Sequence, residues 1–127
     1  MDNKDSNQNF TELKVWQEAR SLKKAVYLLV SNFPPEEKYS LRDQLVRSAR
    51  SVCSNISEGH GRFTFKDQIH FCVQARGSLS ETLNHLLDAA DCKYITQEML
   101  SELQEKHKTV EKLLNGYISY LRKNITQ

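Results

Sequence analysis

Apolar residues recur along this chain at steps of three and four over four long stretches, and none of it reads as a strand. The first stretch carries Leu13, Trp16, Ala19, Leu22, Val26, Leu29 and Phe33 on one face, with Thr11 as its cap. It predicts a helix over about 11–32, stopped by Phe33-Pro34-Pro35, since proline pushes the residue before it out of helical geometry. Ser40 opens a second helix over about 40–59, with Asp43 as a short-armed capping box and Leu41, Leu45, Ala49, Val52 and Ile56 as its stripe. Thr64 caps a third over about 64–92. There Phe65, Ile69, Cys72, Arg76, Leu79, Leu83, Leu86 and Ala90 form a heptad-like seam. Thr96 caps the fourth over about 96–124, seamed by Leu100, Leu103, His107, Val110, Leu114, Tyr117 and Leu121. Arg76 and His107 are the polar intruders in these last two seams.

Three connections of a few residues each make sequential helices antiparallel neighbours. The pattern therefore predicts an all-α fold, an antiparallel up-down-up-down four-helix bundle over 11–124. Residues 1–10 are polar and read as a disordered lead-in. The last two helices are longer than the first two, so their ends should project and leave apolar surface uncovered. That predicts self-association.

One stretch breaks local rules. Within 51–62, Ser51, Cys53, Ser54, Asn55 and Ser57 crowd a helical pattern with residues that compete for backbone hydrogen bonds. Glu58 places a carboxylate at the negative end of a helix dipole, and Gly59 and Gly61 offer left-handed backbone to close the helix. A hairpin turning near residues 61–62 sets Arg76 level with Arg47, Glu81 level with Arg42, Asn55 near Gln68, and Glu58 near Phe65 and Lys66. Two readings follow. Either Asn55, Glu58, Arg76 and Glu81 form a polar seam open to a ligand or another subunit, or they form an internal network. In the second, Arg76 pairs with Glu81 or Glu58, Asn55 bonds backbone, and Gly77 permits close packing.

Composition narrows this picture little. Of 127 residues, 27% are charged and 39% apolar, which suits one soluble helical domain. Cys53, Cys72 and Cys92 read as free buried thiols in a reducing cytoplasm. Neither a signal peptide nor a membrane span is expected, so the expected location is cytoplasmic. The net charge of +2 is unevenly spread. Residues 39–76 carry six basic side chains against three acidic ones, a surplus suited to an anionic partner. Arg47 and Arg50 stand one helical turn apart, and Arg62 with Lys66 extends the patch around the next turn. These four are the candidate RNA or DNA contacts, in competition with an ordinary solvated helix face. Catalytic signatures are missing: the four histidines and three cysteines lack metal-ligand spacing, and Gly59-His60-Gly61-Arg62 follows a helix instead of a strand. The chain is expected to be non-enzymatic, without metal or cofactor. An enzyme would need a pocket gathering His107, Glu81 and a basic residue.

Four segments carry a family likeness. They are Leu13-x-Val15-Trp16-Gln17-x-Ala19, then Phe33-Pro34-x-Glu36/Glu37-x-Tyr39-x-Leu41-x-x-Gln44, then Ser54-Asn55-Ile56-x-Glu58-Gly59-x-Gly61-Arg62, and Gly77-Ser78-Leu79-x-Glu81. From about Phe10 to Leu121 the chain resembles the four-helix bundle family of 23S ribosomal RNA intervening-sequence proteins. It departs in having Ser57 where alanine is usual and His60 where an aromatic or apolar residue is common. The resemblance implies an antiparallel bundle that assembles into a ring, typically a pentamer. It also implies kinship with accessory proteins of diversity-generating retroelements, which bind nucleic acid and a reverse transcriptase. It offers no catalytic residues, and Asn55, Glu58, Gly59, Arg62, Gly77, Ser78 and Glu81 are its signature positions. The leading expectation is an oligomeric, nucleic-acid-associated or scaffold protein; the alternative is a purely structural or protein-interaction ring.

Overall fold

The structure is a computed structural model that describes residues 9–125. Four α-helices make up the bundle: α1 (Lys14–Val30), α2 (Leu41–His60), α3 (Phe65–Asp91) and α4 (Gln97–Ile125). No strand occurs among the described residues, and no helix there is long and apolar enough to cross a membrane. The proposed lead-in lies mostly outside the described residues.

Helix starts follow the expected chemistry at two of four sites. Thr64 Oγ1 accepts from the Asp67 amide at 3.1 Å, and Thr96 Oγ1 from the Met99 amide at 3.1 Å. The other two differ. Asn9, in place of Thr11, caps a short 3-10 turn over Phe10–Glu12, and α1 begins only at Lys14. At α2 the Ser40 side chain does not cap; its hydroxyl donates to Glu37, whose carboxylate also accepts from the Leu41 amide at 3.2 Å. A carboxylate four residues upstream thus satisfies the orphan amide that a serine was expected to take.

Burial follows the predicted stripe in α2, where Leu41, Leu45, Ala49, Val52 and Ile56 are buried together with Ser48, Cys53 and Gly59. In α3 the seam is displaced. Cys72, Ala75, Leu79, Thr82, Leu86 and Ala89 are buried, so the three-four rhythm survives while Ala75 replaces Arg76 and Thr82 replaces Leu83. The helix turns its smaller side chains inward because α2 presses close against them. In α4, Ile118 takes the core place expected of Tyr117. Cys53 and Cys72 are free and buried, whereas Cys92 is exposed, correcting the expectation of three buried thiols.

Contacts between neighbours are consistent with an up-down-up-down order. Ser51 meets Ser78, Arg76 meets Asn115, and Lys106 Nζ donates to Ser21 Oγ at 2.9 Å between α4 and α1. The α3–α4 turn holds Lys93 at φ 63, the left-handed conformation that closes a helix. Lys93 and its neighbour Tyr94 donate backbone bonds to the carbonyls of Ala90 and Ala89. Tyr94 then reaches the α1–α2 connection: its hydroxyl donates to Glu37 at 2.7 Å and its ring lies 5.4 Å from Phe33. This clasp aligns the helices at one end. The helices have 17, 20, 27 and 29 residues, so the surplus length emerges at the other end. There Phe63, Phe65, Tyr120 and Ile125 are exposed.

Candidate nucleic-acid interface

The α2–α3 joint places most of the anomalous residues. Asn55 Nδ2 donates to the Ser51 carbonyl at 2.9 Å and to Ser51 Oγ at 3.1 Å. The Ser51 and Ser78 hydroxyls share a hydrogen bond across the joint, their oxygens 2.8 Å apart. One turn earlier, Thr82 Oγ1 lies 3.0 Å from Ser48 Oγ and 2.8 Å from the Ser78 carbonyl. Asn55, Ser51 and Ser78 therefore belong to an internal network. These pairings also correct the expected register. Ser51 opposite Ser78 puts Arg76 near the level of Cys53 instead of Arg47, and Ser48 opposite Thr82 puts Glu81 near Ser48 instead of Arg42. The hairpin turns later than expected because α2 continues through Gly59 and His60, and Gly61 ends it in right-handed backbone at φ −79.

The glycines exchange roles. A Cβ on Gly59 would meet Phe71 Cβ at 3.0 Å and the Gln68 carbonyl at 3.2 Å, so Gly59 is the position of close helix approach. Gly77, expected to serve that purpose, has open space where its Cβ would be.

Arg76, Glu58 and Glu81 stand outside the joint. Arg76 Nη1 donates to Asn115 Oδ1 at 3.1 Å, not to Glu81 or Glu58. Glu58 pairs with Arg62 at 2.8 Å, and Glu81 accepts from His85 Nε2 at 3.1 Å. Both pairs are four residues apart on one helix or its end, a spacing from which they could have been found. Buried Ser48, Thr82 and His85 were not singled out from the sequence.

The four candidate cations do not form one patch. Arg47 and Arg50 line a shallow groove on the outer face of α2 with Asp43, Ser51 and Ser54. Arg50 has no ion-pair partner among the described residues, and Arg47 keeps only a 3.8 Å contact with Asp43, its side chain 77% exposed. Arg62 stands roughly 18 Å further along at 1.5 Å per residue. It is already engaged by Glu58 and by the Phe71 ring, 4.6 Å from its guanidinium carbon. Lys66 is exposed in the first turn of α3.

Of the residues an enzyme would need, His107 is buried, and its Nε2 has no hydrogen-bond partner among the described residues. Burial lowers its pKa, with Glu111 opposing that shift. Glu81 is held on another helix by His85. Among the described residues, no group of three or more His, Cys, Asp or Glu could hold a metal ion.

The family model for 23S rRNA-intervening sequence proteins matches residues 11–116, which spans the first three helices, the joint and most of α4. The chain belongs to this family. A solved structure from Bacteroides thetaiotaomicron, described as a protein of unknown function from the S23 ribosomal protein family, shares the fold with a TM-score of 0.73. It is 22% identical, over 82% of this chain and 97% of that one. No curated protein matches the chain. For this member of the intervening-sequence family, the joint explains the signature positions Asn55, Gly59 and Ser78 as packing. It leaves Gly77 without an internal purpose.

Proposed function

We propose that this chain is a non-enzymatic, self-associating bundle that binds the phosphate backbone of RNA or DNA through the outer face of α2. The observation that carries this reading is the Arg47–Arg50 groove, where two exposed guanidiniums face outward with Asp43 as the single acid lining it. Lys66 is a secondary contact. Arg62, held by Glu58, acts mainly to close the end of α2.

Self-association is supported by two surfaces. Val73, Gly77, Ser80, Asn84 and Leu87 run along one exposed face of α3, and Gly77 leaves room there for a neighbour's helix. The exposed Phe63, Phe65, Tyr120 and Ile125 crown the open end of the bundle. A ring repeats the α2 groove around the assembly, and avidity then multiplies weak phosphate contacts. The family resemblance suggests five copies.

A gel shift with RNA across a salt series tests the binding. For two phosphate contacts per protomer, raising salt from about 50 to about 200 mM should weaken affinity roughly sevenfold for a single strand and roughly twelvefold for a duplex. The Arg47→Ala/Arg50→Ala variant should bind more weakly and with a shallower slope. Salt-independent binding, or no change in the variant, refutes the phosphate contacts. Absence of any shift favours the protein-interaction ring. Light scattering tests assembly, where a clean monomer at micromolar concentration would refute it.

A further inference from the structure

A second groove adjoins the arginines. Tyr27 and Val30 of α1, Lys38 and Tyr39 of the connection, and Arg42, Asp43 and Val46 of α2 enclose about 400 Å³. That volume is within the ~300–1,000 Å³ of small-molecule sites. Asp43 lines both grooves, so the two lie side by side on α2.

The lining is unusual for a surface that only faces water. Tyr39 is 84% exposed and Tyr27 41% exposed, and neither hydroxyl has a hydrogen-bond partner among the described residues. Lys38 Nζ stands 5.3 Å from the centre of the Tyr39 ring, which shows that one face already attracts a cation while the exposed remainder stays open. Buried Val30 and partly buried Val46 supply an apolar floor. Arg42 has no ion-pair partner among the described residues, and Asp43 is drawn toward Arg47, so the groove's balance is cationic. Flat aromatic faces, an apolar floor and cations leading onto an arginine track complement a flat aromatic base carrying a phosphate.

We infer that the Tyr27/Tyr39 groove takes an unpaired base of single-stranded RNA or DNA, stacked on Tyr39, while the adjoining phosphates run past Arg42 toward Arg47 and Arg50. This rests on the phosphate reading of α2 and adds to it a preference: a base must leave a duplex to enter, so single strands bind better than duplexes.

The test uses the full chain, a fluorescein-labelled oligoadenylate, and a duplex of the same length, read by fluorescence anisotropy. Tyr39→Ala should weaken oligoadenylate binding about tenfold, since stacking on an aromatic is worth ~1–3 kcal/mol per base. Duplex affinity and the salt slope should stay unchanged, and Tyr39→Phe should retain binding. Far-UV circular dichroism confirms that each variant is folded. If Arg47→Ala/Arg50→Ala weakens binding while Tyr39→Ala does not, stacking is refuted, the phosphate reading stands, and the groove becomes a protein-contact surface. If neither probe binds at low salt, both readings fall.

Discussion

Helix α2 has two working faces built on opposite principles. Toward α3 it presents Ser48, Ser51, Asn55 and Gly59: Ser48 and Ser51 find partners across the joint, Asn55 braces Ser51 from its own helix, and Gly59 lets Phe71 approach. Toward α1 and solvent it presents Arg42, Val46, Arg47 and Arg50, beside tyrosines that pack little. The joint rewards small volume and complete pairing; the outer face keeps large groups with unspent bonding capacity. One face holds the fold and the other is free to meet a partner.

The sharpest way to break this comparison is at Gly59. Gly59→Val should cost about 2–3 kcal/mol by overpacking, measured by urea unfolding, because its branched side chain must displace the Phe71 side chain and the Gln68 backbone. Gly77→Ala, in open space, should instead gain about 0.5–1 kcal/mol through helix propensity. If both glycines respond alike, the joint is not special.

Thr82→Val should cost about 1 kcal/mol by removing the hydroxyl that reaches Ser48. Combining it with Ser48→Ala should cost less than the sum of the two single losses, since the hydroxyl pair can be lost only once. A double-mutant cycle with no coupling would show the hydroxyl pair to be incidental.

A smaller effect separates the paired joint from α4, where His107 Nε2 is buried without a partner among the described residues. Burial lowers the folded-state pKa of His107 below 6.5, so the unfolded chain binds the proton more readily. Above about pH 6.5 the imidazole is neutral in both states and has no effect. As pH falls through that value toward the lower folded-state pKa, stability declines. Thermal unfolding between pH 7 and pH 5 should show this decline, reduced in His107→Leu; an equal decline in the variant would assign it to other groups.

The smallest effect belongs to the outer face. Tyr39→Ala should change stability by less than about 0.5 kcal/mol, as expected of a surface side chain. A larger loss in urea unfolding would make the tyrosine a structural residue and the groove part of the fold.

The helices were legible because their apolar rhythm is strong, and the short turns order them. The site was legible only in part. Ser51–Arg62 disobeyed local preferences and did mark a joint, but its partners were misassigned by the position of the turn. Gly59 looks like a helix stop in one dimension; that it permits Phe71 to approach is a property of two helices. Arg76 occupies a heptad position by count, yet the seam shifts by one residue because Ala75 and Thr82 fit against α2 better. The α1–α2 groove joins residues from two helices and their connection, and no single periodicity reports such a meeting. Arg62 and Glu81 were within reach, since their partners stand four residues away.

The Tyr94 clasp carries a consequence for how the bundle opens. By tying the α3–α4 turn to Glu37 and Phe33, it joins both helical hairpins at one end, whereas at the other end α4 runs on past the start of α1. Local opening should therefore begin at the projecting end of α4 and travel toward the clasp. Amide hydrogens in the last turns of α4 should exchange rapidly, while those flanking Tyr94 wait for larger openings. In such a molecule the exposed crown breathes, and a neighbouring copy that covers it slows the whole progression.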